Sequence, residues 1–238
     1  MKRLVATLLM AAGICGAARA GETEVRQALE KKFPGVKVEQ IGKSPVAGIW
    51  EVYTNNGELL YVDDKGAFVF GGPLIDVARN VNVSDERIAK LSFVRFKDLP
   101  FELSFKIVRG KGKRQLAYFA DPNCGYCKKI EQDLMKLDDV TIHLFPVPIL
   151  GADSMEKTRV IWCNKDRARA WQDWMLKGTV PTGASTCDTS AIDKLLAFSR
   201  RKAISGTPTL FFVSDQRIPG AVPLEQIEKL LAAAPARS

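Results

Sequence analysis

Alternating apolar and polar positions between residues 36 and 70 predict a small antiparallel sheet. Four stretches show this period of two: 36–41, 49–54, 59–62 and 67–70. Asn55-Asn56-Gly57 separates the second stretch from the third and is a strong hairpin turn signal. An amphipathic helical pattern over 21–33 precedes the strands. Residues 21–80 are therefore predicted to form a small α+β domain.

A sheet of this size leaves the predicted N-terminal domain with a marginal hydrophobic core. The domain either stands alone or completes itself by pairing with a second copy through an unpaired edge strand. The pattern leaves both alternatives open, and the second makes this a dimerisation domain.

Residues 81–100 carry helical signals and are predicted to be a linker helix. Ser84 is a plausible N-cap, Asp85 and Glu86 suit the first turn, and Pro100 ends the segment. A helix of about fifteen residues would be about 22 Å long and would act as a rigid spacer.

Strand and helix patterns alternate after residue 100, which predicts an α/β domain over 101–238. The predicted strands are 101–108, 115–120, 140–145 and 206–213. One helix is predicted directly after Cys127, and others are predicted over 152–177, over 191–201 and in the C-terminal apolar repeat. In the helix after Cys127, Ile130, Leu134 and Leu137 are expected to face inward. Glu131 is expected on the opposite, solvent face.

Two cysteines two residues apart, Cys124 and Cys127, lie where the apolar run 116–120 meets a helical run. A helix N-terminus presents unpaired N–H groups and favours an anion, so it favours the thiolate of Cys124. Cys127, one turn later, can attack and resolve a mixed disulfide formed at Cys124.

A structural zinc site would need a second ligand pair, which the sequence lacks. A structural disulfide closing so short a loop would constrain little chain. The pair is thus predicted to be redox-active, without metal or cofactor.

Chain length and the N-terminal residues predict an exported two-domain protein. The 238 residues are 46% hydrophobic and 26% charged, with a net charge of +8, and no basic cluster with interleaved aromatic residues predicts nucleic-acid binding. Residues 1–20 resemble a signal peptide: Lys2 and Arg3, a short apolar run, and Ala18-Arg19-Ala20 as cleavage site. Cleavage would remove Cys15 and leave four cysteines.

The two remaining cysteines, Cys163 and Cys187, are predicted to form a structural disulfide. An even number of cysteines in an oxidising compartment favours one redox pair and one structural pair. Two free thiols are the alternative. His143, in a predicted strand, is interpreted as a packed side chain without a catalytic role.

The tetrapeptide Cys124-Gly125-Tyr126-Cys127, preceded by Phe-Ala-Asp-Pro-Asn and combined with Gly206-Thr207-Pro208, resembles the DsbC/DsbG family of periplasmic thiol:disulfide interchange proteins. The resemblance covers the whole mature chain and is closer to DsbC. It implies a thioredoxin fold with a helical insertion, and a homodimer formed by the N-terminal domain. Thr207-Pro208 would be a cis-proline loop that binds substrate together with Gly125 and Tyr126.

The resemblance also implies a function: isomerisation or reduction of incorrect disulfides in misfolded exported proteins, with the membrane reductase DsbD keeping the pair reduced. Chaperone activity is expected beside it. A net dithiol oxidase and a holdase-type chaperone are the alternatives.

In one respect the chain departs from classical thioredoxins, which have a buried aspartate six positions before the first cysteine. Tyr118 stands there, so the proton acceptor for Cys127 is not identified by the sequence.

Overall fold

The computed structural model describes residues 17–183 and 185–233. The chain divides into two compact units between Glu86 and Arg87, within helix α2 (Val83–Leu91). Most of the predicted signal peptide lies outside the described residues. In the part of the chain that the structure describes, no helix has the length and apolar character needed to cross a membrane.

The N-terminal unit is the predicted α+β fold, a helix packed on an antiparallel meander. Its sheet has the order β1-β2-β3-β4. The elements are α1 (Ala17–Lys32), β1 (Val38–Lys43), β2 (Ile49–Thr54), β3 (Leu59–Asp63) and β4 (Val69–Phe70). Val25 and Leu29 of α1 pack with Val38, Val52 and Val62 of the strands to form the core. A further two-stranded pair, β5 (Ile75–Asp76) with β6 (Val81–Asn82), was not predicted.

The predicted linker helix of about fifteen residues is wrong in its length, because α2 has nine residues. After Leu91 the chain forms only two single-turn 3-10 helices, Phe96–Asp98 and Phe101–Leu103. Phe96 is buried in the core of the C-terminal unit, and its backbone N–H donates to the Asp215 carboxylate at 2.8 Å. Tertiary packing therefore overrides the helical pattern and makes this segment part of the C-terminal unit. For the same reason the strand predicted over 101–108 begins only at Phe105.

The C-terminal unit is built on a five-stranded mixed sheet of order β11-β10-β8-β9-β7. Its strands are β7 (Phe105–Arg109), β8 (Arg114–Ala120), β9 (Val140–Pro146), β10 (Thr209–Phe212) and β11 (Arg217–Pro219). Only β8 and β9 run parallel; the other pairs are antiparallel. A parallel pair needs a crossover, and α3 (Gly125–Leu134) supplies it.

Side chains of β8 alternate between two apolar layers, so this strand is buried on both faces. Leu116 and Tyr118 belong to the layer that contains Cys124 and Cys127. Phe119, in the other layer, stacks on Phe145 with ring centroids 4.4 Å apart. Burial on both faces explains the nearly continuous apolar run that leads to the first cysteine.

The remaining helices are α4 (Ala152–Cys163), α5 (Arg167–Lys177), α6 (Ser190–Arg201) and α7 (Leu224–Ala232). The helical run predicted over 152–177 is thus split in two, with the Asp166 side chain capping α5 by accepting from the N–H of Arg169 at 3.0 Å. Cys163 and Cys187 are joined in a disulfide. This bond ties the end of α4 to the irregular segment that precedes α6.

Candidate active site

Cys124 is the N-cap residue of α3, at the point where the chain leaves β8. Its backbone is extended, with φ −73° and ψ 117°, and its sulfur accepts a hydrogen bond from the backbone N–H of Cys127 at 3.3 Å. The Cys124 thiol also donates to the carbonyl oxygen of Thr207 at 3.2 Å. A sulfur placed on the N–H groups of a first helical turn is in a position that favours a thiolate.

Cys127 lies behind Cys124 and is fully buried, whereas Cys124 retains 6% of its surface. Burial is the largest influence on the Cys127 thiol and raises its pKa far above the ordinary value, although a hydrogen bond from the backbone of Asp121 opposes the shift. Both active-site cysteines are free thiols in the structure. Of the pair, Cys124 is the more exposed residue.

The loop that delivers Cys124 is fixed by the buried carboxylate of Asp121. Asp121 Oδ1 accepts from the N–H of Asn123 at 2.7 Å and from the hydroxyl of Ser154 at 2.8 Å. Asp121 Oδ2 accepts from the N–H of Leu150 at 2.9 Å. One hydrogen bond from the loop itself and two from residues around the start of α4 compensate the burial of this polar group and hold the loop in place.

The loop before β10 contributes the second side of the site. The Thr207–Pro208 peptide bond is cis, and Pro208 is buried while Thr207 is partly exposed. The Pro208 carbonyl accepts from the N–H of Gly220 at 2.7 Å. These contacts place the Thr207 carbonyl against the Cys124 sulfur, so residues 83 positions apart form one site.

Gly125 and Tyr126, between the two cysteines, are exposed. The Tyr126 side chain is 70% accessible, and a β-carbon at Gly125 would have no heavy atom within 4 Å. The surface beside Cys124 is thus open to a large ligand such as a polypeptide.

Glu131 was expected on the solvent face of α3, and this expectation is wrong. Its side chain is 2% exposed, and Glu131 Oε2 accepts a hydrogen bond from the indole N–H of Trp171 at 3.2 Å. Burial raises the pKa of Glu131 to about 7, against the smaller opposite effects of hydrogen bonds from Trp171 and Tyr118. Glu131 follows Cys127 by four positions, so both side chains lie on the inner face of the helix.

Asp121 was also missed by sequence reasoning. The turn signal in Asp121-Pro122-Asn123 could have indicated that its side chain accepts from the backbone two residues later. No local signal could have found the partner of Glu131, because Trp171 lies 40 positions away.

Two protein families match this arrangement of domains. The family "Thioredoxin-like domain" matches residues 101–235, and "Disulfide bond isomerase protein N-terminal domain" matches residues 16–85. A protein of Bordetella pertussis described as probable thiol:disulfide interchange protein DsbC is 42% identical over 207 residues, which cover 87% of this chain and 73% of that protein.

The chain belongs to the DsbC family. DsbC of Escherichia coli K12 is 29% identical, over 97% of this chain and 96% of its own. Salmonella typhimurium DsbC is 32% identical, over 92% and 90% of the two chains. Among solved structures, a disulfide interchange protein of Neisseria gonorrhoeae is 36% identical with a TM-score of 0.55, and the match covers 58% of this chain and all of that one.

Membership in the DsbC family confirms the predicted fold class and identifies the enzymatic chemistry as thiol:disulfide interchange. The CxxC pair on α3 is the only set of free thiols among the described residues. Within those same residues, no cluster of three or more histidine, cysteine or acidic side chains is arranged to bind a metal ion.

Proposed function

We propose that the chain is a periplasmic disulfide isomerase that acts on misfolded exported proteins, with Cys124 as the nucleophile and Cys127 as the resolving thiol. The observation that carries these roles is the asymmetry of the pair. Cys124 is the N-cap residue of α3 and retains some accessible surface, whereas Cys127, in the first turn, is fully buried behind it. The DsbC relatives and the signal-like N-terminus support the compartment.

The reaction starts when the Cys124 thiolate attacks one sulfur of a substrate disulfide, which forms a mixed disulfide and releases the other substrate sulfur as a thiolate. If that or another substrate thiolate then attacks the mixed disulfide, Cys124 is released and the substrate disulfide has moved without net electron transfer. If Cys127 attacks instead, Cys124 and Cys127 form a disulfide and the substrate leaves with both of its sulfurs reduced. This outcome transfers two electrons from the cysteine pair to the substrate.

Substrate contacts are assigned to the open rim of the site. Gly125 and Tyr126 are exposed beside the nucleophile, and Thr207 lies across from it in the cis-proline loop with Pro208. An extended segment of an unfolded chain could lie along this rim. Reduction of an oxidised Cys124–Cys127 pair would come from a thiol donor, and the family resemblance points to the membrane reductase DsbD.

The predicted roles of the two cysteines are tested by trapping. Cys127→Ala should accumulate stable mixed disulfides with a disulfide-containing substrate, because the resolving step is lost, and Cys124→Ala should form none. The measurement is non-reducing electrophoresis followed by mass spectrometry of the linked peptides. Cys163→Ala/Cys187→Ala is the matched control and should behave as wild type in trapping. Adducts on Cys127 in the Cys124→Ala variant would reverse the assignment.

Apolar exposure in the N-terminal unit supports two further parts of the proposal, a homodimer and chaperone activity. β4 forms one edge of its sheet. Phe70 in β4 and Phe68 just before it are 52% and 67% exposed, with Val77 nearby in sequence at 88%. Exposed apolar residues on an edge strand favour pairing with a second copy. If apolar surface also binds unfolded chains, Cys124→Ala/Cys127→Ala would still suppress aggregation of a cysteine-free substrate.

A further inference from the structure

Three buried polar side chains form a continuous chain beneath the nucleophile. Cys127 and Tyr118 are fully buried and Glu131 is 2% exposed. Cys127 and Glu131 are one helical turn apart on α3, and Tyr118 faces them from β8 within the same core layer. Polar groups placed this deep in a core are retained only where each has a partner.

The Tyr118 hydroxyl connects the other two side chains. It donates to the backbone carbonyl of Cys127 at 3.2 Å. Burial raises the pKa of the tyrosine, and the Cys127 thiol and the Glu131 carboxyl group are both near enough to raise it further. A hydroxyl proton rotates to suit its acceptors. When this proton turns from the Cys127 carbonyl toward Glu131, Tyr118 can accept from the Cys127 thiol while donating to the Glu131 carboxylate.

Cys127 must lose its proton before it can attack the mixed disulfide, because the thiolate is the nucleophile. Burial raises the pKa of this thiol, and the same burial excludes bulk water as acceptor. A base within the protein is required, and its strength must match the working pH.

Glu131 is the carboxyl group in position. The groups that face it are Trp171 from α5, Tyr118 from β8 and Cys127 on its own helix. Among the described residues no salt bridge reaches its carboxylate, and burial raises the pKa of Glu131 to about 7. It is therefore present in both protonation states near neutral pH, as a group that accepts and returns a proton must be.

We propose that Glu131, acting through the Tyr118 hydroxyl, accepts the proton of the Cys127 thiol in the resolving step. The thiol proton passes to Tyr118 oxygen as the Tyr118 proton passes to the carboxylate, which leaves Cys127 as thiolate and Glu131 as carboxylic acid. The thiolate then bonds to Cys124 sulfur, the Cys124–substrate bond breaks, and the electron pair leaves with the substrate thiolate. This inference rests on the proposed roles of Cys124 and Cys127.

An aromatic disulfide that releases a coloured thiolate separates the two steps. One coloured thiolate appears when Cys124 attacks in a bimolecular phase, and a second appears when Cys127 displaces the aromatic thiol in an intramolecular phase. Stopped-flow absorbance would follow both phases from about pH 6 to 9 for the reduced full-length protein, Glu131→Gln and Tyr118→Phe. The exposed Glu156→Gln is the matched control.

In wild type and Glu156→Gln the intramolecular rate should rise with pH through about 7, where the Glu131 carboxylate forms. Glu131→Gln preserves an acceptor for Trp171 but should slow that phase by at least about tenfold and remove the inflection. Tyr118→Phe should slow it similarly, with the bimolecular phase unchanged in both variants.

The proposal would be overturned if the intramolecular phase of either variant kept the wild-type rate and inflection. It would also be overturned if a variant slowed both phases equally, because the substituted residue would then have only a structural role. A bimolecular phase that survives in Cys124→Ala would instead contradict the proposed function and leave the roles of the two cysteines wrong. The two failures are therefore distinguishable.

Discussion

At the scale of single residues, the site combines a cysteine at a helix N-terminus with groups that burial makes unusual acids. Glu131 is 2% exposed; among the described residues its carboxyl group accepts from the indole N–H of Trp171 and lies near the Tyr118 hydroxyl, and neither neighbour is charged. Desolvation disfavours the charged form of a carboxyl group, which is why its pKa lies near 7. The folded protein therefore ionises Glu131 at a free-energy cost that the unfolded chain does not have.

This cost should appear as pH-dependent stability. The unfolded chain releases the Glu131 proton near its ordinary pKa of 4.5, and the folded chain near 7. Between these values the folded state binds more protons, so raising the pH favours unfolding. From below 4.5 to above 7, wild type should lose about 3 kcal/mol relative to Glu131→Gln. Urea unfolding at a series of pH values measures this difference.

The comparison is best made in a Cys124→Ala background, because the Cys124–Cys127 disulfide then cannot form. No reductant is needed to keep Cys127 as a thiol, so the Cys163–Cys187 disulfide stays intact. Glu156→Gln, an exposed carboxylate on α4, should follow the wild-type curve. A Glu131→Gln curve parallel to that of wild type across this range would show that Glu131 titrates as an ordinary surface acid.

Residues whose chemistry is encoded locally could be proposed from the sequence, and the structure brings them together. Cys124 and Cys127 could be found from their spacing after an apolar run, and Thr207-Pro208 from the family resemblance. Glu131 was misplaced, because a glutamate in a helix is almost always exposed. Only the fold brings Trp171 and Tyr118 around its carboxyl group.

At the scale of elements, the start of α3 could be predicted from local sequence, but the end of α2 could not. A strand that ends at a CxxC motif followed by a helical repeat fixes where α3 begins. The apolar spacing after Leu91 was compatible with continued helix, but Val94, Phe96 and Leu99 pack into the C-terminal core instead. That competition depends on partners more than a hundred positions away, such as Asp215.

The disulfide of the helical insertion should matter for stability and not for exchange. Cys163 and Cys187 are 24 positions apart, and closing a loop of about that length stabilises a fold by about 3.5 kcal/mol in the chain-entropy model. Described residues between Gly178 and Thr189 form no helix or strand, so their order depends strongly on this bond.

Cys163→Ala/Cys187→Ala should therefore lower the thermal midpoint and speed proteolytic cleavage between residues 178 and 189. The bimolecular reaction of Cys124 with an aromatic disulfide should stay within about twofold of wild type, because the disulfide is not part of the proposed reaction. The same midpoint and cleavage rate as wild type would show that packing alone orders the insertion.

At the scale of the whole molecule, the chain joins a thiol:disulfide interchange unit to an N-terminal unit that exposes Phe70 on its edge strand and Phe68 just before it. Isomerisation needs a substrate to remain bound while its sulfurs rearrange, which a single accessible thiol does not provide. The proposed homodimer supplies a second copy of the site and additional binding surface. Isomerase activity should therefore depend on both units.

The central claim is tested most directly by the recovery of activity of a scrambled multi-disulfide enzyme in a glutathione buffer. Wild type should restore that activity, and Cys124→Ala should not. Phe68→Glu/Phe70→Glu should sediment as a monomer and restore it several-fold more slowly, with an unchanged bimolecular reaction at Cys124. Phe93→Glu, at an exposed position in the C-terminal unit, is the matched control and should act as wild type. Recovery by Cys124→Ala at the wild-type rate would contradict the claim, and a fully active monomer would remove the dimer from it.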